Sequence, residues 1–466
     1  MASAELTLVL GLGESGLAMA RWLARQGGAL RVADSRDTPP GVERLRADAP
    51  AAEIVTGAFP SSPDALLDGV CRIAISPGLD PRQPLLQAAK ARGIPVVGEM
   101  ELLVEALRGL GVRAQTRIIA ITGTNGKTTT TTLAGKMVEA AGLDGVVAGN
   151  ISPAALDVLM ARLDAGQALP QVWVLELSSF QLETLPTLEA VSATVLNVTD
   201  DHLDRYAGLD DYAAAKAAVF HGDGVQVLNR EDARVMAMAL PGRRVFTFGV
   251  DAPSGPDDFG VLHADDGEWL SRGGEKLLCR ADMQLAGSHN VANALAALAL
   301  CEAAGLPRAP LLAALKTFRG LPHRVEKVAE RSDGVIYYDD SKGTNVGATV
   351  AALEGLRRKV VLIAGGDGKG QDFSPLKEAF ARYARAVVLI GRDAPAIEAA
   401  VAGCGVALTH AVDMDAAVLQ ANAHAEAGDV VLLSPACASL DMFRNYAHRA
   451  QVFIDAVKRL PGVSPA

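Results

Sequence analysis

The sequence predicts an α/β protein made of mainly parallel sheets divided among three domains. Three observations carry that expectation. Short apolar, β-branched runs alternate with stretches of helical periodicity along the whole chain. Those runs end in glycine-rich or polar loops, as in a doubly wound sheet whose functional rim lies at the C-terminal ends of its strands. Finally, 466 residues, 50% of them apolar, exceed what one hydrophobic core holds. The boundaries fall where apolar patterning lapses, around 108–115 and after T-F-R-G at 317–320. They give a Rossmann-like domain over 1–110, a central P-loop-type ATPase domain over 111–320 and a Rossmann-like domain over 321–466.

Composition narrows the function. A net charge of −10 argues against a nucleic-acid surface, so an anionic ligand must be held by local basic groups. The five cysteines lack C-x-x-C spacing, which disfavours a disulfide framework or a zinc site and fits a reducing cytoplasm. The N-terminus has no basic region followed by an apolar core and cleavage site. The alanine-rich run 291–299 is too short to span a bilayer.

Residues 6–10 read as a strand, followed by G-L-G-E-S-G (Gly11, Gly13, Gly16), a helix to about Gln26 and a second strand, 31–33, ending at Asp34. This is a dinucleotide fingerprint with its acidic residue in place, suited to NAD(P) or to a UDP-type nucleotide. A third strand at 73–75 ends in the small turn Ser76, Pro77, Gly78.

The central domain opens with R-I-I-A-I-T-G-T-N-G-K-T-T-T at 117–130. A buried strand at 118–121 leads into the glycine turn Gly123, Thr124, Asn125, Gly126. Lys127, Thr128 and Thr129 then start a helix that presents Leu133, Met137 and Ala141 on one face and stops at Gly142. Exposed N–H groups and the positive helix end make a phosphate cradle, with Lys127 reaching the β/γ-phosphates and the Thr128 hydroxyl available to Mg²⁺. Ile121 stands where the longer G-x-x-x-x-G-K-[ST] pattern has glycine, so the loop is a shorter variant. ATP is the expected ligand.

Strands at 172–177 and 193–198 carry Glu176 and lead to Asp200, Asp201, His202 and Asp204. Their shared rim gathers Glu176, Asp201 and His202 at the mouth of the cradle, where a carboxylate can hold Mg²⁺. His202 reads equally as a polar cap at a strand end. Lys216 lies in D-D-Y-A-A-A-K-A-A-V-F and, on pattern alone, is a solvated helix lysine. Residues 251–275 read as a loop-bearing β segment. Asn290 and Asn293 start a helix on one face, either to meet a base edge or to cap it.

After L-P-H-R, four strands each run into a polar loop: 335–338 into D-S-K-G-T-N, 360–364 into G-G-D-G-K-G, 386–390 into G-R-D and 430–433 into S-P-A-C-A-S-L-D. One rim would bring Lys342, Lys369, Thr344 and Ser439 together, two cations and two hydroxyls suited to a small dicarboxylate.

G-T-N-G-K-T, L-E-L-S-S-F-Q-L-E-T, N-V-T-D-D-H-L-D-R-Y, H-N-V-A-N-A-L-A-A, L-P-H-R, D-S-K-G-T-N, G-G-D-G-K and S-P-A-C-A-S-L-D stand in the order seen in the Mur ligases. The sequence resembles that family from about Leu8 to Arg449, and the last three motifs resemble its D-glutamate-adding branch; the D-N-P-R signature of the diamino-acid branch is absent. The resemblance implies a cytoplasmic, monomeric ligase. It would use ATP and two Mg²⁺ to add D-glutamate to UDP-N-acetylmuramoyl-L-alanine through an acyl phosphate. By motif it implies Thr128, Glu176, His202 and a carbamylated Lys216 around the metals, with Lys127, His202 and Lys216 in catalysis. It implies Asn290, Asn293, Arg324 and Asp340 on ATP, and Asn150 by the reacting carboxylate. Ser15, Asp34, Ser35, Arg36 and the turn at 76–78 would hold UDP; Lys342, Thr344, Lys369, Ser439, Leu440 and Tyr446 would hold D-glutamate. Three positions depart from the pattern: Glu14 replaces an apolar residue beside the uracil site, Met442 a glutamine and Tyr446 a phenylalanine.

Overall fold

The computed structural model describes residues 5–59, 62–201, 205–285, 287–356 and 358–465. Three sheets follow one another along the chain. The first is wholly parallel, in the spatial order Glu53–Thr56, Ala29–Asp34, Leu6–Leu10, Val70–Ile75, Val96–Val97. The expected strand at 73–75 is therefore the fourth in the chain. Two short outer strands, half-exposed and without an alternating pattern, escape a reading by hydrophobic period.

The second sheet has nine strands. Its parallel part places Arg117–Thr122 between Ser192–Val195 and Val172–Glu176, with Gly145–Gly149 outside the latter. Residues 118–121 are wholly buried, as a strand covered by helices on both faces must be. The region 251–275 resolves into Asp258–Ala264 and Gly267–Arg272, which with Glu275–Cys279 form an antiparallel meander on the far edge. The helix Lys127–Ala140 buries Leu133 and Met137 and packs on Ser288–Ala303, an almost wholly buried helix. Ala141 and Gly142 (φ +76°) end the former helix.

The third sheet runs Ala407–His410, Ala384–Ile390, Val360–Gly365, Val430–Leu433, Ile336–Asp339 in parallel, then antiparallel Glu326–Arg331 and Val463–Pro465. The four strand-to-loop transitions read from the sequence all lie on one rim of this sheet. Among the described residues no helix is long and apolar enough to cross a membrane.

The first two sheets share a core. Helix Glu99–Gly109 and helix Glu14–Arg25 both pack against Ala155–Asp164, and their apolar side chains merge into one buried cluster. Arg108 and Arg113 reinforce this contact by donating to Thr187, Leu188 and Glu189.

Candidate functional site

The turn after Arg117–Thr122 has the backbone of an anion cradle. Gly123 (φ +147°) and Gly126 (φ +83°) both lie in the region that favours glycine. A Cβ on Gly126 would stand 2.3 Å from Asn293 Oδ1, so the close approach of the cradle to helix Ser288–Ala303 also requires glycine. Asn197 fixes the loop by taking the Thr124 N–H on its carbonyl (2.9 Å) and the Asn125 N–H on its side chain (2.8 Å). Ile121 belongs to the buried strand, which continues to Thr122; the glycine turn is short for that reason.

Lys127 Nζ donates to Gly123 O and Thr124 O, both at 2.9 Å, and Lys216 Nζ donates to the same Gly123 carbonyl at 3.0 Å. Lys216 is 1% exposed and lies 4.2 Å above the Tyr212 ring. The solvated lysine expected from an alanine-rich helix is thus overturned: its partner is a loop distant in sequence, invisible to helical periodicity. Burial first, then the charge of Lys127, holds the Lys216 amine well below the ordinary lysine range. Burial likewise lowers Lys127, opposed by the negative charges of Glu176 and Asp201.

Glu176 ends its strand 2% exposed. Its Oε1 accepts from Asn150 Nδ2 at 3.0 Å, while its Oε2 has no hydrogen-bond partner among the described residues. An orphaned oxygen on a buried carboxylate beside the phosphate cradle is what a divalent cation satisfies. His202, expected at this rim, lies outside the described residues.

Opposite the cradle stands the third domain. Arg324 Nη2 donates to Thr128 Oγ1 at 2.9 Å, and Asn345 Nδ2 to Asn125 Oδ1 at 3.3 Å. Between the two domains lies a cavity of about 280 Å³, lined by Asn125, Thr129, Asn290, Asn293, Arg324 and Asp340 among others. The capping alternative for the asparagines falls away. Helix Ser288–Ala303 is capped at Gly287 without any side-chain bond, whereas Asn290 and Asn293 are buried, line the cavity and hydrogen-bond each other at 3.4 Å. Burial raises the Asp340 carboxyl to about 7, against the Ser434 hydroxyl that donates to it at 2.7 Å.

The third-domain loops are laced to one another. Ala436 N donates to Gly343 O at 3.0 Å, Asp367 and Ala438 exchange both backbone bonds, and Asp393 N donates to Gly366 O at 3.0 Å. Lys342 Nζ lies 3.9 Å over the Tyr446 ring. Lys342 and Thr344 are half-buried, Ser439 is buried, and Lys369 (φ +51°) and Leu440 are exposed on the same loops. Sequence reasoning passed over Arg449. It is wholly buried and donates to Ser341 Oγ (3.0 Å), Ser341 O (2.8 Å) and Cys437 O (3.1 Å), pinning two of these loops. A lone arginine on an otherwise ordinary helix gives no local signal of burial.

In the first domain Asp34 is buried and accepts from Leu12 N (2.6 Å) and from Arg36 N (2.9 Å), Nε (2.8 Å) and Nη2 (2.6 Å). The Arg36 guanidinium holds its carboxyl at about 2. Asp34 thus orders the glycine turn as well as the strand end, while Ser35 and Arg36 are exposed. Ser15 is the second residue of the helix after that turn, and Ser76 Oγ donates to Gly11 O at 3.3 Å, joining the turn at 76–78 to the glycine turn.

Comparison with known proteins decides the family. Three family models match in order: the Mur ligase MurD-like N-terminal domain at 5–98, the Mur ligase middle domain at 121–301 and the Mur ligase glutamate ligase domain at 323–437. The chain belongs to the Mur ligase family. A Mur ligase of Aromatoleum aromaticum named UDP-N-acetylmuramoylalanine--D-glutamate ligase is 68% identical over 98% of this chain and 97% of its own length. One of the same name from Dechloromonas aromatica is 57% identical over 97% of this chain and 98% of its own. Among solved structures, the UDP-N-acetylmuramate-alanine ligase of Thermotoga maritima shares the fold at 19% identity, with a TM-score of 0.57 over 98% of this chain and 99% of that one. A pseudomurein peptide ligase type C from Methanothermus fervidus does so at 18% identity, with a TM-score of 0.55 over 92% of this chain and 96% of that one.

Proposed function

We propose that this Mur ligase joins D-glutamate to UDP-N-acetylmuramoyl-L-alanine, consuming ATP and releasing ADP and phosphate, as a monomer in cytoplasmic peptidoglycan precursor synthesis. The observation that carries the reading is the Arg324–Thr128 hydrogen bond, which brings the rim of the third sheet to the mouth of the phosphate cradle. The triphosphate and the incoming amine then share one cleft.

A carboxylate is a poor acyl donor because its leaving group would be oxide. One alanyl carboxylate oxygen attacks the γ-phosphorus, the bond to the ADP oxygen breaks, and an acyl phosphate forms. The neutral amine of D-glutamate attacks the acyl carbon and loses its proton, and the tetrahedral intermediate expels phosphate. Lys127 swings from its loop carbonyls to the transferred group and offsets the charge gathering there. Asn290, Asn293 and Asp340 hold the nucleoside, with Arg324 and residues 123–129 on the phosphates. Asn150 orients the reacting carboxylate. Ser15, Asp34, Ser35, Arg36 and the turn at 76–78 hold the uridine diphosphate, which makes the first domain a uridine site instead of a nicotinamide one. Lys342, Lys369, Thr344, Ser439, Leu440 and Tyr446 receive D-glutamate, the two ammonium groups meeting its carboxylates.

The donors among the described residues fit Mg²⁺: Glu176 offers a buried oxygen with no hydrogen-bond partner among them, and Thr128 a hydroxyl; by motif, His202 would add a ring nitrogen. Held there, two such ions would supply positive charge to offset that of the phosphate oxygens. Lys216 fits carbamylation, since burial favours the uncharged, nucleophilic form of its amine. Its nitrogen would bond to the carbon of CO₂ and lose a proton, and the resulting carbamate would supply an anion able to hold a divalent cation where an ammonium would repel it.

The test is a screen of amino acids for phosphate release in the presence of ATP and UDP-N-acetylmuramoyl-L-alanine. D-Glutamate is expected to release phosphate and the others to release little. Release with another amino acid and none with D-glutamate would refute the substrate assignment.

A further inference from the structure

Helix Ala155–Asp164 of the central domain begins without a cap of its own, for its N-cap residue is Ala154. Two carboxylates from the first domain supply what is missing. Glu14 Oε1 accepts from Ala154 N at 3.2 Å and Glu99 Oε1 from Leu156 N at 3.1 Å. Glu14 Oε2 also takes the Ser152 hydroxyl at 2.6 Å. Further along the same helix, Arg21 of the first domain pairs with Asp157 at 2.6 Å, and Arg25 with Asp164.

Glu14 is the first helical residue after the glycine turn of the first domain, next to Ser15. The segment it grips, 152–154, is two residues from Asn150, whose amide holds Glu176 Oε1 and whose N–H donates to Glu176 O at 2.7 Å. A short path thus runs from the first residue of the nucleotide-site helix to the buried carboxylate at the phosphate cradle, hydrogen-bonded at both ends and joined by the backbone of residues 150–154.

We propose that Glu14 is a positioning residue: it latches the first domain to the central domain and, through residues 150–154, sets the orientation of Glu176. This role deepens the ligase reading and rests on it for the identity of the Glu176 ligand. It also accounts for a carboxylate at a position where the family resemblance calls for an apolar side chain. The hydrogen-bonding oxygens matter more than the charge, so glutamine restores the function and alanine does not.

The experiment compares the full chain with Glu14→Ala, Glu14→Gln and Ser152→Ala by amide hydrogen exchange and by the Mg²⁺ dependence of phosphate release. Losing a cap corresponds to about a fivefold opening of the helix end. In Glu14→Ala the Ala154 amide is therefore expected to exchange about fivefold faster, while the amides of Arg117–Thr122 keep their rates. The Mg²⁺ concentration for half-maximal turnover is expected to rise about threefold or more, a guide set by that same opening. Glu14→Gln returns both to within about twofold of the parent, and Ser152→Ala, an exposed change that leaves the core intact, moves both in the direction of Glu14→Ala. Unchanged exchange at Ala154 in Glu14→Ala overturns the latch. Faster exchange with an unmoved Mg²⁺ dependence overturns the coupling to Glu176. The exchange result stands whether or not D-glutamate is the substrate, so failure of the latch and failure of the ligase reading are told apart.

Discussion

Lys127 and Lys216 share one acceptor, the Gly123 carbonyl, and that sharing defines what each can do. Among the described residues Lys127 Nζ hydrogen-bonds only to carbonyls of its own loop, so removing its amine is expected to cost chemistry and not folding. Lys127→Ala is expected to lower turnover by on the order of a hundredfold to a thousandfold, the range for losing one preorganised charge at a reacting group. Its thermal midpoint should remain within a few degrees of the parent, which a melting curve checks. Lys216→Ala is expected to lose most activity while nucleotide affinity, measured by calorimetry, is kept; full activity would contradict the carbamate. Legibility differed between these two residues. The glycine turn and Lys127 could be read directly, because a strand, a turn without bulk and a helix start are contiguous in sequence. Lys216 could not, because its burial depends on a carbonyl 93 residues away.

At the level of elements, the strand-and-loop alternation was readable wherever strands are buried on both faces, as at 118–121 and 360–364. The half-exposed strands Glu53–Thr56 and Val96–Val97 left no such trace. The lacing of the third-domain loops was equally hidden, because Arg449 carries no periodic signature. Replacing it by leucine leaves the oxygens of Ser341 and the Cys437 carbonyl short of donors. Arg449→Leu is expected to cost about 2–6 kcal/mol of stability in denaturant titration, at about 1–3 kcal/mol for each of the Ser341 and Cys437 carbonyls left unsatisfied. It should also raise KM for D-glutamate more than KM for ATP.

Helix Glu99–Gly109 yields a pH prediction. Burial, reinforced by the charge of Asp157 and opposed by bonds from Leu156, Ser15 and Ala155, raises the Glu99 carboxyl from 4.5 to about 7. A carboxyl with a raised folded value binds its proton more tightly when folded. Its contribution is therefore full below about pH 4.5 and is lost as pH climbs towards 7. Glu99→Gln removes that titration, so the variant should lose less stability than the parent between about pH 5 and 7, by up to about 3 kcal/mol at 1.36 kcal/mol per unit. Parallel stability curves for parent and variant would contradict the assignment.

Across the whole molecule, the two inter-domain contacts differ in kind. The first and central domains share a buried apolar cluster and several ion pairs, whereas the third meets the cradle through polar contacts such as Arg324–Thr128 and Asn345–Asn125. The connection to the third domain contains Gly320 (φ +93°), His323 (φ +64°) and Val325 (φ +51°), a concentration of left-handed backbone suited to a hinge. Ligand-dependent motion should therefore be carried by the third domain. Adding ATP and the UDP-linked substrate is expected to change the scattering profile, while a distance label pair spanning the first two domains stays fixed. A moving pair would contradict that division.

In the proposed reaction the UDP-linked carboxylate passes through an acyl phosphate in a cleft shared by the cradle and the third-domain loops. Labelling that carboxylate with ¹⁸O tests it most directly. After turnover with ATP and D-glutamate, the released phosphate is expected to carry one labelled oxygen for each amide formed. Amide formed while the phosphate remains unlabelled would contradict the claim.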